Sequence, residues 1–300
     1  MPNNLTILAY HRVLDKPDPL RPDETSLDSF APHMRTLSRF FNVMPLPEAV
    51  RALRERTLPP RSVSITFDDG YADNFSVAWP VLRKLGLPAT IFVATDFLDG
   101  GRMWNDTVIE SVRRANGNVL DLDNLGLGRH DCATNAQRLE ASSRIIAQLK
   151  YLDPDERAAK TASLAEQIGE PLPNDIMLES AQVSELSANG IEIGAHTNTH
   201  PILQSLDDDS ARYEILEGKR RLEAIIRKPV RCFAYPNGRP GVDYSPRHVS
   251  MARDAGFECA VATCSGAARC DHDVFQLPRF APWAESRLKF GLRLFRLHLT

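Results

Sequence analysis

Short runs of apolar, β-branched and aromatic residues recur along the chain, each bounded by polar or turn-forming residues. They are Leu5–Tyr10, Val63–Phe67, Thr90–Ala94, Ile191–Ala195, Cys232–Tyr235, Cys259–Ala262 and Phe275–Leu277. Such runs predict strands buried on both faces. Between most of them the apolar positions take helical spacing: Phe75–Leu85 closed by Gly86, Ser180–Ala188 closed by Gly190, Ser205–Ile226 ahead of Pro229, and Pro246–Ala255 closed by Gly256. The alternation predicts an α/β fold with a parallel sheet and helical crossovers.

From about Trp104 to about Met177 the strand rhythm stops, while Gln137–Tyr151 and Asp155–Ile168 look helical. A mostly helical insertion at about 104–177 is expected, its Leu and Ile density pointing to packing on the main body. The segment 287–300 mixes apolar and basic residues at helical spacing. It reads as a docked terminal helix or as a helix lying on a membrane surface.

Composition narrows the function classes. With 43% hydrophobic residues, 25% charged and a net charge of -3, the chain is an ordinary globular protein, and bulk attraction to nucleic acid is not expected. Five scattered cysteines without a Cys-x-x-Cys pair favour a reducing compartment over a disulfide framework. The start Met1-Pro2-Asn3-Asn4 runs straight into a core strand, so the expectation is a cytoplasmic protein, with peripheral contact at the inner membrane face as an option.

Ligand-capable residues collect just after the apolar runs: His11, Asp68-Asp69-Gly70, Thr95-Asp96, His196 with His200, Tyr235-Pro236-Asn237-Gly238, and Arg279. In a barrel of parallel strands, the carboxyl ends share the face on which active sites are built. Successive strand side chains point to opposite faces, so Asp68 and Asp69 enter one site only where a strand ends, and Gly70 permits the turn. Two close carboxylates repel unless a positive group joins them, which a divalent cation does. The plainer alternative makes one Asp a helix cap.

His196 and His200, four apart ahead of Pro201, can share a metal ion. Imidazole with carboxylate suits Zn2+, and Co2+, Ni2+, Fe2+ or Mn2+ tolerate the same ligands. His11 reads as a structural histidine or as a site residue. The Tyr235–Gly238 turn either aims backbone N–H groups into the cleft or is an ordinary strand-to-helix turn. Trp79, Trp104 and Trp283 are candidates for stacking on sugar rings, with core packing as the plainer role. Asn105-Asp106 either caps a helix or meets substrate. Cys264, Cys270 and His272 lack the pair spacing of a second metal site.

Thr66-Phe67-Asp68-Asp69-Gly70 and His196-Thr197-Asn198-Thr199-His200, with a looser match at Phe233–Gly238, resemble the motifs of the polysaccharide deacetylases. These are family-4 carbohydrate esterases with a NodB-type domain, and the likeness spans nearly the whole chain in strand order. It implies a single domain built on a distorted (β/α) barrel of about seven parallel strands. It also implies one divalent metal held by Asp69, His196 and His200, with Asp68 as general base. Many members carry Arg where Ala234 stands, tethering the catalytic aspartate, and Tyr where Asn237 stands. Arg279 is the candidate substitute for that tether.

The late Leu-x-His motif that usually supplies the acid is absent after the last strand. In motif order the chain is closer to the biofilm poly-N-acetylglucosamine deacetylases, where the histidine of an N-terminal Tyr-His segment takes that part. Tyr10-His11 fits it. The expected activity is metal-dependent removal of N-acetyl groups from amino sugars of a polysaccharide or its lipid-linked precursor. Asp68 would deprotonate the attacking water and His11 would protonate the departing amine. The Asn237 N–H would face the oxyanion, with Tyr235 and Arg279 as weaker contacts to substrate. A catalytically silent carbohydrate-binding barrel is the alternative, against which an intact Asp68 stands. An Fe(II) facial triad is disfavoured by the context around Asp68.

Overall fold

The structure, a computed structural model, describes residues 4–282 and 287–299. The chain forms two compact units, one of Met1–Lys16, Asp23–Asp99 and Met177–Thr300, the other of Pro17–Pro22 and Gly100–Ile176. Among the described residues of the first unit, seven strands run parallel in chain order around the sheet, and the short segment Asn42–Val43 pairs beside the second of them. The seven are β1 (Leu5–Tyr10), β2 (Ser62–Phe67), β3 (Thr90–Val93), β4 (Glu192–Ala195), β5 (Cys232–Ala234), β6 (Cys259–Ser265) and β7 (Leu277–Arg279). Beyond β7, Phe280 bridges to β1 through Ala9 N–H to Phe280 O (3.0 Å) and Phe280 N–H to Ile7 O (2.8 Å). The sheet thereby becomes a nearly closed barrel.

Helices α1 (Leu27–Phe40) and α2 (Leu46–Arg54) link β1 to β2, and α3 (Trp79–Leu85) links β2 to β3. The second unit carries α4 (Trp104–Arg114), α5 (Asn135–Leu149) and α6 (Pro154–Ile168). In the first unit again, α7 (Ser180–Ala188) leads into β4, α8 (Asp208–Ile226) into β5 and α9 (Pro246–Asp254) into β6, with α10 (Arg287–Leu299) last.

Strand parity sorts the barrel's side chains. Leu5, Ile7, Phe92, Cys232, Ala234, Cys259, Val261 and Leu277 form one cluster with Leu46, Ala49, Val50 and Leu53 of α2, which fills the lumen from below. The alternate residues Leu8, Val63, Ile65, Phe67, Ile91, Ile193, Phe233 and Ala260 pack outward with the surrounding helices. On β2 the lumen positions are Ser62, Ser64 and Thr66. Each hydroxyl finds a carbonyl: Pro59 at 2.7 Å, Met44 at 2.9 Å and Leu8 at 2.7 Å.

The predicted strands appear close to their expected places. The last one begins two residues late, because the Asp273 carboxylate accepts the Phe275 N–H (3.0 Å) and holds 273–276 in a turn. The second unit departs more from expectation. It contains an antiparallel pair, Val119–Leu122 with Gly128–Asp131, where no strand was expected. Its alternation covers only Leu120 and Leu122 on the buried side, too few for a pattern to stand out. Its apolar residues pack on one another: Val108, Val112, Leu122, Ile145, Leu149 and Leu164 share a core. Asp106 is neither cap nor exposed contact, being buried in an ion pair with Arg21 at 2.8 Å.

Gly194 sits at a lumen position of β4, where an added Cβ would lie 2.3 Å from the Phe92 ring and 3.2 Å from Cys232 O. Gly194→Ala should therefore lower stability by about 1–3 kcal/mol through overpacking. Urea denaturation of wild type and variant measures the difference.

Candidate active site

At the carboxyl end of β2, Asp68 continues the lumen parity of Ser62, Ser64 and Thr66 and points inward. Arg279 reaches the same place from β7, one alternation beyond Leu277. Its guanidinium meets Asp68 with two parallel hydrogen bonds of 2.7 Å, and also donates to Ala262 O (3.0 Å) and Thr66 Oγ1 (3.3 Å). The pair is almost fully buried, Arg279 being 3% exposed. Burial alone would push the Asp68 pKa up, yet the Arg279 charge and hydrogen bonds hold it below the usual carboxylate range. Arg279 thus tethers Asp68. The weaker expectation that it contacts substrate finds no support, since the guanidinium is buried and Nε, Nη1 and Nη2 each donate inside the barrel.

Asp69 would point outward by parity, but its φ of 74° and that of Gly70 at 87° turn the chain sharply. Asp69 Oδ1 comes to lie 3.3 Å from both His196 Nε2 and His200 Nε2. Ligand atoms from the three residues fall within 4.8 Å of one another. Burial pushes the Asp69 pKa up, but hydrogen bonding from His196 and the charge of the neighbouring histidines, whenever these are protonated, hold the carboxyl well below its ordinary range. His200 is pushed down to about 4, chiefly by burial, so it is neutral at neutral pH, as a metal ligand has to be.

The donor chemistry fits a cation. His196 Nδ1 lies 2.7 Å from Ala234 O, a carbonyl that only accepts, so Nδ1 carries a proton and Nε2 is the nitrogen left to face Asp69 and to ligate an ion. With Nε2 unprotonated, as ligation requires, two acceptors face each other across 3.3 Å. A divalent ion resolves that opposition. One carboxylate with two imidazoles is a ligand set suited to zinc or a related metal.

Helix α8 seats the histidine loop with residues one and two turns apart. Glu214, buried, accepts the N–H groups of Asn198 (2.9 Å) and Thr199 (2.8 Å) and the Thr199 hydroxyl (2.7 Å). Arg221 donates to Asn198 Oδ1 (2.9 Å), which also accepts from Thr95 Oγ1 (2.9 Å). Between them Gly218 lets the loop backbone come close, for an added Cβ would lie 2.6 Å from Thr197 C and O. These contacts hold Thr197 and His200 at φ 64° and 55°, a left-handed conformation costly for residues with a side chain. Glu214, Gly218 and Arg221 were missed in the sequence, where nothing marks which face of α8 meets the loop.

His11 follows β1 at the parity of Leu5, Ile7 and Ala9. Its carbonyl accepts from Asn74 Nδ2 (2.8 Å), while Asp73 binds Arg12 (2.7 Å) and the Val13 N–H (2.9 Å), fixing the backbone on both sides of the imidazole. Burial pushes the His11 pKa down, but Asp69, Asp68 and Glu24 together outweigh it and raise it above the ordinary histidine value. Asn237 has a φ of 58°, with its carbonyl taken by Thr263 Oγ1 at 2.7 Å.

Tyr235 does not join the site. Ala234 faces the lumen, so Tyr235 faces outward, its hydroxyl donating to Phe275 O (3.0 Å), its N–H to Val261 O (3.3 Å) and its ring stacked on Tyr244 at 3.8 Å. Trp79 is core, packed on Phe75 beneath Arg83. Trp104 lies under the Arg157 guanidinium of its own unit. Trp283 lies outside the described residues.

Residues 55–260 match the family model described as polysaccharide deacetylase. The curated relative YxkH of Bacillus subtilis is 22% identical over 280 residues, covering 93% of this chain and 71% of that one. The fold is similar to that of the Streptococcus pyogenes deacetylase PplD, with a TM-score of 0.66 and 18% identity over 99% of both chains. It is also similar to IcaB from Ammonifex degensii, with a TM-score of 0.64 and 20% identity over 97% of both chains. A de-N-acetylase from Aggregatibacter actinomycetemcomitans gives a TM-score of 0.60 at 15% identity over 93% of this chain and 94% of that one. Identities this low carry the likeness as one of fold.

Gly218→Ala should push the Thr197–Asn198 backbone off α8 and lower Co2+ affinity by at least about tenfold with little change in helix content. Competition with a chelating dye, alongside circular dichroism, checks both.

Proposed function

The chain belongs to the polysaccharide deacetylase family and is a deacetylase, and from that premise we propose that it removes N-acetyl groups from amino sugars with one divalent metal ion, most suitably Zn2+. Its substrate would be a glycan, or the lipid-linked precursor of one. Asp69, His196 and His200 would hold the ion, which when bound supplies a Lewis acid for the acetyl carbonyl and for water.

The chain's own groups supply the proton traffic. Asp68, kept anionic by Arg279, takes the proton of the attacking water, and its two hydrogen bonds to the guanidinium fix the carboxylate in place. An amine is a poor leaving group until protonated. His11, whose pKa the neighbouring carboxylates raise, delivers that proton to the nitrogen of the sugar. The Asn237 backbone N–H is the proposed partner of the oxyanion. The observation that carries this reading is the buried, doubly hydrogen-bonded Asp68 beside the Asp69–His196–His200 group. A silent carbohydrate-binding barrel has no use for a carboxylate kept ionised in this way.

Release of free amine from N-acetylglucosamine oligomers, with and without chelator, tests the proposal. Chelator should abolish release and Zn2+ or Co2+ restore it. Asp69→Asn should lose bound metal and activity together, whereas His11→Ala should keep the metal and lose roughly 10²- to 10⁴-fold in rate. Undiminished release in chelator, or equal rates for His11→Ala and wild type, would overturn it.

Arg279→Gln should shift the pH profile. With the guanidinium gone, burial is left to raise the Asp68 pKa, and because the base works only when ionised, the acid limb moves to higher pH. Part of the lost rate should return as pH rises, and the kcat/KM profile of the variant measures it.

A further inference from the structure

Helix α10 is apolar on two sides, and only one is accounted for by the fold. Phe290 and Leu294 are fully buried, Phe290 stacking on His33 of α1 with ring centroids 4.0 Å apart. Leu292 lies on the opposite side, 65% exposed, and Phe295, whose ring also touches Phe41, is 38% exposed. Leu292 and Phe295, three residues apart, lie on one helical stripe. Lys289, Arg293 and Arg296, all exposed, fall together along one border of that stripe. Between Arg287 and Thr300 there are four Lys or Arg residues and no Asp or Glu.

A solvated helix face ordinarily mixes both signs of charge with other polar groups. Here every charged position is basic and the centre is Leu and Phe. A second copy packed antiparallel through this face would bring like-charged borders together, and a parallel copy would leave both borders without an anionic partner. A nucleic acid would use the cations and leave the apolar stripe in water. An anionic bilayer surface takes both, its phosphates meeting Lys and Arg while Leu and Phe enter the boundary of the acyl chains. Among the described residues no helix is long and apolar enough to cross a membrane, so such contact lies in the plane of the surface. We propose that the outward stripe of α10 docks the protein on an anionic lipid surface, a role that goes beyond deacetylation and does not rest on it.

Co-sedimentation of the full chain with phosphatidylglycerol–phosphatidylcholine vesicles, against pure phosphatidylcholine vesicles, tests the proposal without any assay of activity. The protein should pellet with the anionic vesicles and be released by added salt. Lys289→Glu with Arg296→Glu should weaken partitioning by on the order of fivefold per charge removed. Leu292→Asp, at the most exposed position, should weaken it with the melting temperature unchanged. Protein left in the supernatant with anionic vesicles, or equal pelleting with both lipids, overturns the proposal. So does a dimer by light scattering that Leu292→Asp dissolves, which would give the face to a second copy.

Discussion

The buried ion pair of Asp68 with Arg279 joins the end of the second strand to the end of the last, across the place where the barrel nearly closes. Removing two charges from water is costly, and a well-packed apolar pair would often serve stability as well or better. What the pair supplies instead is a carboxylate that stays ionised inside a protein. The sign of its linkage follows. Asp68 has a lowered pKa in the fold, so its contribution to stability is present above the ordinary carboxylate pKa and is lost as pH falls through the depressed one. The same two hydrogen bonds that fix the carboxylate of the proposed base also tie the barrel at its seam.

Much of this was legible because a strand has a period of two. Once β2 is read as Ser62–Phe67, its apolar residues Val63, Ile65 and Phe67 must face the helices, which sends Ser62, Ser64, Thr66 and then Asp68 into the lumen. The same counting brings Arg279 inward behind Leu277. It also turns Tyr235 outward, because Cys232 and Ala234 face in. The place of Tyr235 beside Pro236 in a turn motif suggests a cleft residue, but strand parity decides the direction of the side chain.

What the sequence hid is tertiary. Glu214 and Arg221 look like ordinary polar positions of a solvated helix, and Gly218 like a weak point within it. Only the packing of α8 against the histidine loop shows that Gly218 leaves room for the Thr197 backbone and that Glu214 satisfies two loop N–H groups at once. The antiparallel pair at Val119–Leu122 was hidden for a different reason, its two buried leucines being too few to carry a period. Helices α1 and α2 do carry a helical period, in Phe30, Met34 and Leu37 and in Leu46, Ala49, Val50 and Leu53, but only the fold shows that the apolar face of α2 closes the bottom of the lumen.

Five titratable groups, Asp68, Asp69, His11, His196 and His200, are set apart by their surroundings. Asp68 and Asp69 are alike in chemistry and adjacent in sequence, yet Asp68 is satisfied by a guanidinium while Asp69 faces two imidazoles. A carboxylate already paired with Arg279 has little charge left to bind an ion, and one opposed by a lone pair on His196 has every reason to. The histidines divide likewise, with burial keeping His200 neutral and neighbouring carboxylates raising the pKa of His11. The turn at Asp69, with its positive φ, creates this division, since it sends one carboxylate to Arg279 and its neighbour to the two imidazoles, as the proposed roles of base and ligand require. A straight strand through residue 69 would have sent its carboxylate outward among the helices, leaving His196 and His200 without the third donor that their loop is braced to meet.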